Sequence, residues 1–234
     1  MRCAIADLIV EIPEVGGMAP RCREYLTNDT GPVDVEIRQE DYDLSLWKTD
    51  DYNMACYMET GSLFYTQLMK FNATMLHASA VSLDGRAYLF SGPSGVGKST
   101  HTRLWQQCFA GVEVFNDDKP ALRNLDGRWF AYGTPWSGKH GINCNRKVPL
   151  AGICFLKQGT VNRIRRLSPM EAVPLIYGQT YYKLSKRETV QQLLTIIDAL
   201  VRSIPIYELE NRPEEAAALL SRQTMLEGAQ SIGL

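Results

Sequence analysis

The sequence of 234 residues predicts an α/β fold with a mixed, twisted β-sheet and helices packed outside it. An apolar run, a glycine-rich loop and a helical pattern follow one another over residues 88–105, which is typical of a strand, a loop and a helix. The dipeptides Asp84-Gly85 and Asp126-Gly127 each separate two apolar runs and tolerate the positive φ angles of tight hairpin turns. Antiparallel hairpins beside a strand–loop–helix unit indicate a sheet that is not purely parallel.

Three regions are expected along the chain. Residues 1–58 predict a small β-rich N-terminal lobe with strands at residues 3–12 and 33–37, residues 59–223 the core, and residues 224–234 a loose tail. The core elements are expected in this order: a helix at 60–71, strands at 75–83 and 86–91, a helix at 100–109, strands at 112–115, 121–125 and 128–132, an irregular loop at 133–145, strands at 150–157 and 161–167, a helix that begins with a capping box at Ser168, a long helix at 189–204, a strand at 204–209 and a helix at 214–220.

The composition argues against several classes of protein. With 25 basic and 26 acidic side chains, the formal charge of -1 argues against bulk attraction to nucleic acid or membranes. The six cysteines show no C-x-x-C spacing, which argues against a zinc site or a disulfide framework and favours a reducing cytosol. The apolar start of the chain is short and interrupted by acidic residues, so it indicates a strand rather than a signal peptide. We expect a cytoplasmic protein, with oligomerisation left open.

The glycine-rich loop predicts a phosphate-binding site. Residues 92–99 read GPSGVGKS and match G-x-x-x-x-G-K-[ST], the P-loop pattern. In such a loop backbone N–H groups and the N-terminus of the following helix bind phosphate oxygens, the lysine reaches the outer phosphates and the serine can ligate Mg²⁺. We therefore expect a nucleoside triphosphate as ligand, bound by Gly92, Ser94, Gly95, Val96, Gly97, Lys98, Ser99 and Thr100.

Two further motifs flank the P-loop. His77 lies in LHASAV, on the strand expected to pair with the P-loop strand, and Asp117 and Asp118 lie in NDDKPAL after the apolar run at 112–115. In P-loop enzymes a carboxylate at the end of a neighbouring strand holds Mg²⁺ or its water shell. Adjacent residues of a regular strand point to opposite faces, so both aspartates can share one site only if the strand end is irregular.

These three motifs, in this order, resemble the HPr kinase/phosphorylase family and the phosphoenolpyruvate carboxykinases. The resemblance implies a mixed-sheet P-loop core of the type that those two groups share. It also implies roles for five residues. Asp117 is expected as general base, with His77 hydrogen-bonded to it or near the metal. Asp118 and Ser99 are expected as ligands of Mg²⁺, and Lys98 would neutralise the transferring phosphoryl group. Whether Asp117 or Asp118 is the base stays open. The carboxykinases also use a second metal, Mn²⁺, so a two-metal arrangement stays open.

The expected activity is an ATP- and Mg²⁺-dependent kinase that transfers the γ-phosphoryl group to a hydroxyl. The acceptor would be a serine of a peptide or protein, or a small molecule. Two alternatives remain: a nucleotide-binding regulatory module without transfer activity, and a carboxykinase-like lyase. The chain is short for a carboxykinase and lacks the phosphorolysis signature of the HPr kinases, so it resembles a compact relative of these enzymes.

The remaining polar candidates lie outside the three motifs. Lys139, in a loop with Trp136 and Ser137, is interpreted either as a clamp on phosphate or substrate or as an ordinary surface lysine. His101 and His140 receive no functional role.

Overall fold

The N-terminal region forms a small three-stranded sheet in the computed structural model, which describes residues 1–180 and 187–233. Strands β1 (Arg2–Ile5) and β2 (Leu8–Glu11) are antiparallel, and β3 (Val35–Glu36) is parallel to β2. The predicted single strand at 3–12 is therefore wrong, because Ala6 and Asp7 have positive φ angles and turn the chain into a hairpin. A short helix, α1 (Met18–Cys22), follows.

Helix α2 (Tyr52–Leu68) begins eight residues earlier than predicted and crosses residue 58, the expected end of the N-terminal lobe. Its start is set by Asp51, whose side chain accepts the N–H groups of Asn53 and Met54 and so caps the helix. The final turn, Met69–Phe71, is a 3₁₀ helix. Because α2 packs on both the small sheet and the core, one apolar cluster contains residues from each.

The large sheet of the described region has nine strands and is mixed, as predicted. It runs in the order β4-β8-β9-β10-β6-β5-β7, with β12 paired to β10 and β11 paired to β12. Its strands are β4 (Ala73–Met75), β5 (Ala78–Leu83), β6 (Arg86–Ser91), β7 (Glu113–Asn116), β8 (Ala121–Leu125), β9 (Arg128–Tyr132), β10 (Lys147–Gln158), β11 (Arg163–Arg166) and β12 (Ile206–Asn211).

The strand before the P-loop, β6, pairs antiparallel with β5 and parallel with β10. The two predicted hairpins are confirmed: Asp84 and Gly85 link β5 to β6, Asp126 and Gly127 link β8 to β9, and all four have positive φ. The single strand predicted at 75–83 is instead two strands, because the chain at 76–77 pairs with distant backbone. His77 donates its N–H to the carbonyl of Gln179 at 2.8 Å and so lies in the break.

Helices cover both faces of the large sheet. Helices α4 (Pro169–Gly178) and α5 (Arg187–Ser203) pack on one face, and α3 (Lys98–Cys108) and α6 (Glu215–Ser231) pack on the other. The predicted capping box at Ser168 is confirmed, with Glu171 as its second residue. No helix of the described residues is long and apolar enough to cross a membrane.

The expectation of a loose tail at 224–234 is wrong, because helix α6 continues to Ser231. Leu234 lies outside the described residues. Met225 and Ala229 are fully buried within this segment. Gly228 weakens the helical pattern in the sequence, yet packing requires it, since a Cβ there would lie 1.8 Å from the hydroxyl oxygen of Tyr207. Close contact between α6 and β12 therefore explains a glycine that local propensity disfavours.

Candidate functional site

The P-loop connects β6 to α3 in a conformation that its glycines permit. Gly97 is the N-cap of α3 with φ near +109°, and Gly92 has φ near +138°. A Cβ at Gly92 would also lie 3.1 Å from Cγ1 of Val96 and 3.2 Å from the carbonyl oxygen of Leu156. Side chains at these positions would therefore strain the backbone or crowd the loop.

Lys98 is the first residue of α3 and lies against the loop. Its Nζ donates to the carbonyl oxygens of Gly92 at 2.8 Å and of Pro93 at 3.3 Å. Burial lowers the pKa of Lys98, and Asp118 only partly opposes that effect. Ser99 and Thr100 are exposed in the first turn of the helix, where backbone N–H groups are free of helical partners.

An irregular strand end brings both aspartates to one cavity. Strand β7 ends at Asn116, whose side-chain oxygen accepts the N–H groups of Asp118 at 3.1 Å and Lys119 at 2.8 Å. The amide of the same side chain donates to the carbonyl of Thr134. This turn ends the strand alternation, so Asp117 and Asp118 need not point to opposite faces.

Asp117 accepts the backbone N–H of Gly138 at 2.6 Å, and its own N–H donates to the carbonyl of Ile142. Burial raises the pKa of Asp117, and the nearby charge of Asp118 adds to the increase. Backbone N–H groups, including that of Gly138, offset this only in part. The result is a carboxylate with a higher proton affinity than an exposed aspartate has.

Asp118 has the opposite character, because two basic side chains bind it. His77 Nε2 lies 3.2 Å from one carboxylate oxygen, and Lys119 Nζ contacts the other. Burial would raise the pKa of Asp118, but the hydrogen bonds and charges of His77 and Lys119 outweigh burial and lower the pKa to about 2. The other ring nitrogen of His77 lies 3.1 Å from Oε1 of Gln179.

Lys119 directly follows the aspartate pair and belongs to the site, although no motif of the sequence indicates a role for it. Its side chain is only 12% exposed, and its Nζ donates to the Tyr57 hydroxyl at 3.1 Å. Burial would lower the pKa of Lys119, but Tyr57 and Asp118 outweigh it and raise the pKa. The local signal in the sequence is a lysine beside two carboxylates. Its partner Tyr57 is 62 residues away in sequence, so no local pattern links the two.

A cavity of about 450 Å³ brings most of the predicted site residues together. Gly92 and Val96 do not line it, and Gly138, Lys139 and His140 do. A neighbouring cavity of about 540 Å³ includes Gly92 and Val96 with apolar residues of β10 and α4. The predicted residues in the first cavity are His77, Ser94, Gly95, Gly97, Lys98, Ser99, Thr100, Asp117 and Asp118.

A family model matches residues 44–212, more than two thirds of the chain, and is described as "SynChlorMet cassette protein ScmC". The chain belongs to the ScmC family. The matched region includes the P-loop and both aspartates of this ScmC protein. A search of curated proteins finds no match. Among solved structures, one that is similar is the Hpr(Ser) kinase/phosphatase from Coxiella burnetii, with a TM-score of 0.39, 14% identity, and coverage of 67% of the ScmC chain and 94% of the other chain.

The cavity is lined by oxygen groups of the kind that bind Mg²⁺ in other proteins. Within residues 1–180 and 187–233, no group of three or more His, Cys, Asp or Glu side chains could hold a metal ion. Mg²⁺ is usually held by one or two carboxylates together with substrate phosphates and water. The Ser99 hydroxyl and the Asp118 carboxylate line this cavity and could hold Mg²⁺ together with such groups.

Proposed function

We propose that this ScmC protein is an ATP- and Mg²⁺-dependent kinase that transfers the γ-phosphoryl group to a hydroxyl. The observation that supports the proposal most is the single cavity in which the P-loop residues Lys98 and Ser99 meet Asp117, a carboxylate of raised pKa. A site that only binds nucleotide has no need of such a base. Phosphoryl transfer needs charge neutralisation, in-line positioning and a group that accepts the proton of the nucleophile.

The P-loop residues bind the triphosphate in this proposal. The backbone N–H groups at the start of α3 and the Lys98 ammonium neutralise phosphate oxygens. Ser99 and Asp118 would hold Mg²⁺, which supplies further charge neutralisation when it is bound. The apolar cavity of about 540 Å³ adjoins the loop through Gly92 and Pro93, and we place the nucleoside there.

Asp117 accepts the proton of the acceptor hydroxyl. The acceptor oxygen forms a bond to the γ-phosphorus while the bond from that phosphorus to the β–γ bridging oxygen breaks, and ADP leaves. The raised pKa of Asp117 makes it a better base than an ordinary carboxylate. Asp118, with a pKa of about 2, stays ionised at neutral pH and is suited to bind a cation.

His77 and Lys119 act as positioning residues. They contact separate oxygens of Asp118 and thereby fix the orientation of its carboxylate. Gln179 orients His77 in turn, and Tyr57 orients Lys119. Such supporting contacts keep a functional side chain in one geometry.

The proposal is tested by phosphorus NMR and mass spectrometry of the purified protein with ATP, Mg²⁺ and a pool of peptides and hydroxyl metabolites. We expect a new phosphomonoester that is absent with Lys98→Ala and present with Lys70→Ala, a change at an exposed lysine outside the site. Nucleotide that binds but stays unchanged with every acceptor would overturn the kinase and favour a regulatory module. Mn²⁺-dependent release of CO₂ from oxaloacetate would favour the lyase.

A further inference from the structure

A second cavity, of about 530 Å³, lies between the N-terminal region and the loop that carries Gly138. Arg21 lines it from α1, Tyr57 from α2, and Gly138 and Lys139 from the loop. Gly138 and Lys139 also line the P-loop cavity, so the two cavities adjoin there. None of the roles proposed above uses this second space.

The junction of the cavities lies beside the proposed base. The Gly138 N–H donates to Asp117 at 2.6 Å, and a Cβ at Gly138 would lie 3.2 Å from the other Asp117 oxygen. The absence of a side chain at Gly138 thus leaves the carboxylate accessible at the point where the cavities meet. Asp117 lines the P-loop cavity next to this junction, so a molecule that extends from the second cavity past Gly138 would meet its carboxylate.

Arg21 is held in a fixed position at this cavity. One guanidinium nitrogen donates to the Ser137 hydroxyl at 3.0 Å, and the guanidinium lies 4.6 Å from the centre of the Tyr57 ring. The Arg21 carbonyl accepts an N–H from Asn143, which ties α1 to the loop. Among the described residues, no carboxylate lies within ion-pair distance of Arg21.

The charge of the cavity favours an anion. Arg21 and Lys139 supply two positive groups, and Asp51 is the acidic residue of the lining. One Asp51 oxygen already accepts the N–H groups of Asn53 at 2.9 Å and Met54 at 3.2 Å at the start of α2. The helix N-terminus therefore compensates the Asp51 charge, and the cationic groups remain for a ligand.

We infer that this cavity binds the phosphoryl acceptor and that the acceptor carries a carboxylate, which pairs with Arg21 while the acceptor hydroxyl reaches Asp117. The inference rests on the proposed kinase function and names the substrate class. Guanidinium groups recognise carboxylates through two parallel hydrogen bonds, and preorganised Arg side chains lose little entropy in doing so. The carboxylate belongs either to a small hydroxy acid or to a peptide, and the chemistry at Arg21 is the same.

Binding of matched probes, measured by ligand-observed NMR without nucleotide, tests the inference. Glycerate is compared with glycerol, and N-acetylserine, as a peptide end, with N-acetylserinamide. We expect the carboxylates to bind and the neutral partners to bind at least roughly tenfold more weakly. Arg21→Gln should weaken carboxylate binding by a similar factor, and Arg21→Lys by less, because it retains the charge. Arg23→Gln, at an exposed neighbour, should change nothing.

Equal binding of charged and neutral probes, no binding of either carboxylate, or no effect of Arg21→Gln in a variant whose melting temperature is unchanged would overturn the inference. Its failure is distinguishable from failure of the kinase. Phosphoryl transfer to neutral acceptors alone would overturn the inference about the carboxylate but would support the proposed kinase activity. If carboxylate binding depends on Arg21 but the phosphorus NMR experiment shows no phosphoryl transfer, the cavity is an anion site and the proposed kinase activity is wrong.

Discussion

At the residue scale, Asp117 and Asp118 are neighbours in sequence with opposite electrostatic environments. Burial dominates at Asp117 and raises its pKa, whereas His77 and Lys119 lower the pKa of Asp118 to about 2. Two adjacent carboxylates with separated proton affinities can take different roles, one as a base and the other as a cation ligand. The difference arises from the partners of each side chain, since the residue type is the same.

Asp117→Asn is expected to lower the rate of phosphoryl transfer by about 10²- to 10⁴-fold, the usual contribution of a general base. It should also raise the melting temperature at pH 7. Because the folded-state pKa of Asp117 is raised above 3.8, its stabilising contribution is complete below pH 3.8 and is lost as pH rises through the folded-state pKa. The ionised side chain therefore destabilises the fold at pH 7, and asparagine removes that charge.

Initial rates and thermal melting between pH 4 and 8 test both parts, with Asp50→Asn at an exposed position as the control. The gain in melting temperature should shrink as pH falls. Undiminished transfer by a variant that still binds nucleotide would show that Asp117 is not the base.

Lys119→Met is expected to lower the free energy of unfolding by about 3 kcal/mol, the typical cost of removing one partner of a buried ion pair. Asp118 would keep His77 alone, so its pKa would rise. The depressed pKa stabilises the native protein above pH 3.8, and this contribution is lost as pH falls through about 2. The variant should therefore unfold in acid at a higher pH than the unmodified protein.

Urea unfolding at pH 7 and acid titration by circular dichroism measure these effects, with Lys70→Met as the matched exposed control. A loss below about 1 kcal/mol, as for a surface pair, would contradict a buried positioning role for Lys119.

At the element scale, helix α6 packs against the P-loop helix α3 on one face of the sheet. The Ser221 hydroxyl of α6 accepts the indole N–H of Trp105 at 2.9 Å and lies 3.0 Å from His101 Nε2. All three residues are buried, and burial lowers the pKa of His101 to about 4. The helix that presents Lys98 to the cavity is thus held by a segment more than one hundred residues later in the chain.

Ser221→Ala is expected to destabilise the protein by about 2 kcal/mol, because it leaves the buried indole N–H of Trp105 without its acceptor. Urea unfolding followed by tryptophan fluorescence measures the change. Ser203→Ala provides the control, since the exposed Ser203 hydroxyl donates to the carbonyl of Ala199 within its own helix. Equal stability of the two variants would show that the contact between α3 and α6 does not depend on this hydroxyl.

At the scale of the whole molecule, the N-terminal region and the core share one apolar cluster. Polar contacts join them as well: Asp7 accepts from the Tyr132 hydroxyl at 2.6 Å and from Lys147 at 2.7 Å, and Arg123 donates to the carbonyl of Ala6. Regions that share buried side chains are expected to unfold together.

We therefore predict a single cooperative unfolding transition in urea. Far-ultraviolet circular dichroism reports the helices and strands, and tryptophan fluorescence reports Trp47, Trp105, Trp129 and Trp136 across both regions. The two curves should coincide. Separate midpoints would indicate that residues 1–58 unfold independently of the rest.

Rules that act between residues close in sequence determined the mixed sheet, both hairpins, the start of α4 and the glycine loop before α3. An Asp-Gly turn, a capping box and a P-loop pattern each act within a few residues, so the sequence alone predicts them. The same rules placed Lys98, Asp117 and Asp118 near strand and helix ends, where a shared site was expected.

Only the tertiary structure decided which partners meet these residues. The break at His77, the length of α6 and the contacts of Lys119 and Arg21 depend on residues distant in sequence, such as Gln179, Tyr207 and Tyr57. The different proton affinities of Asp117 and Asp118 have the same origin, since burial and neighbouring charges exist only after the chain has folded. Local propensity has no access to such contacts, because packing between distant segments creates them.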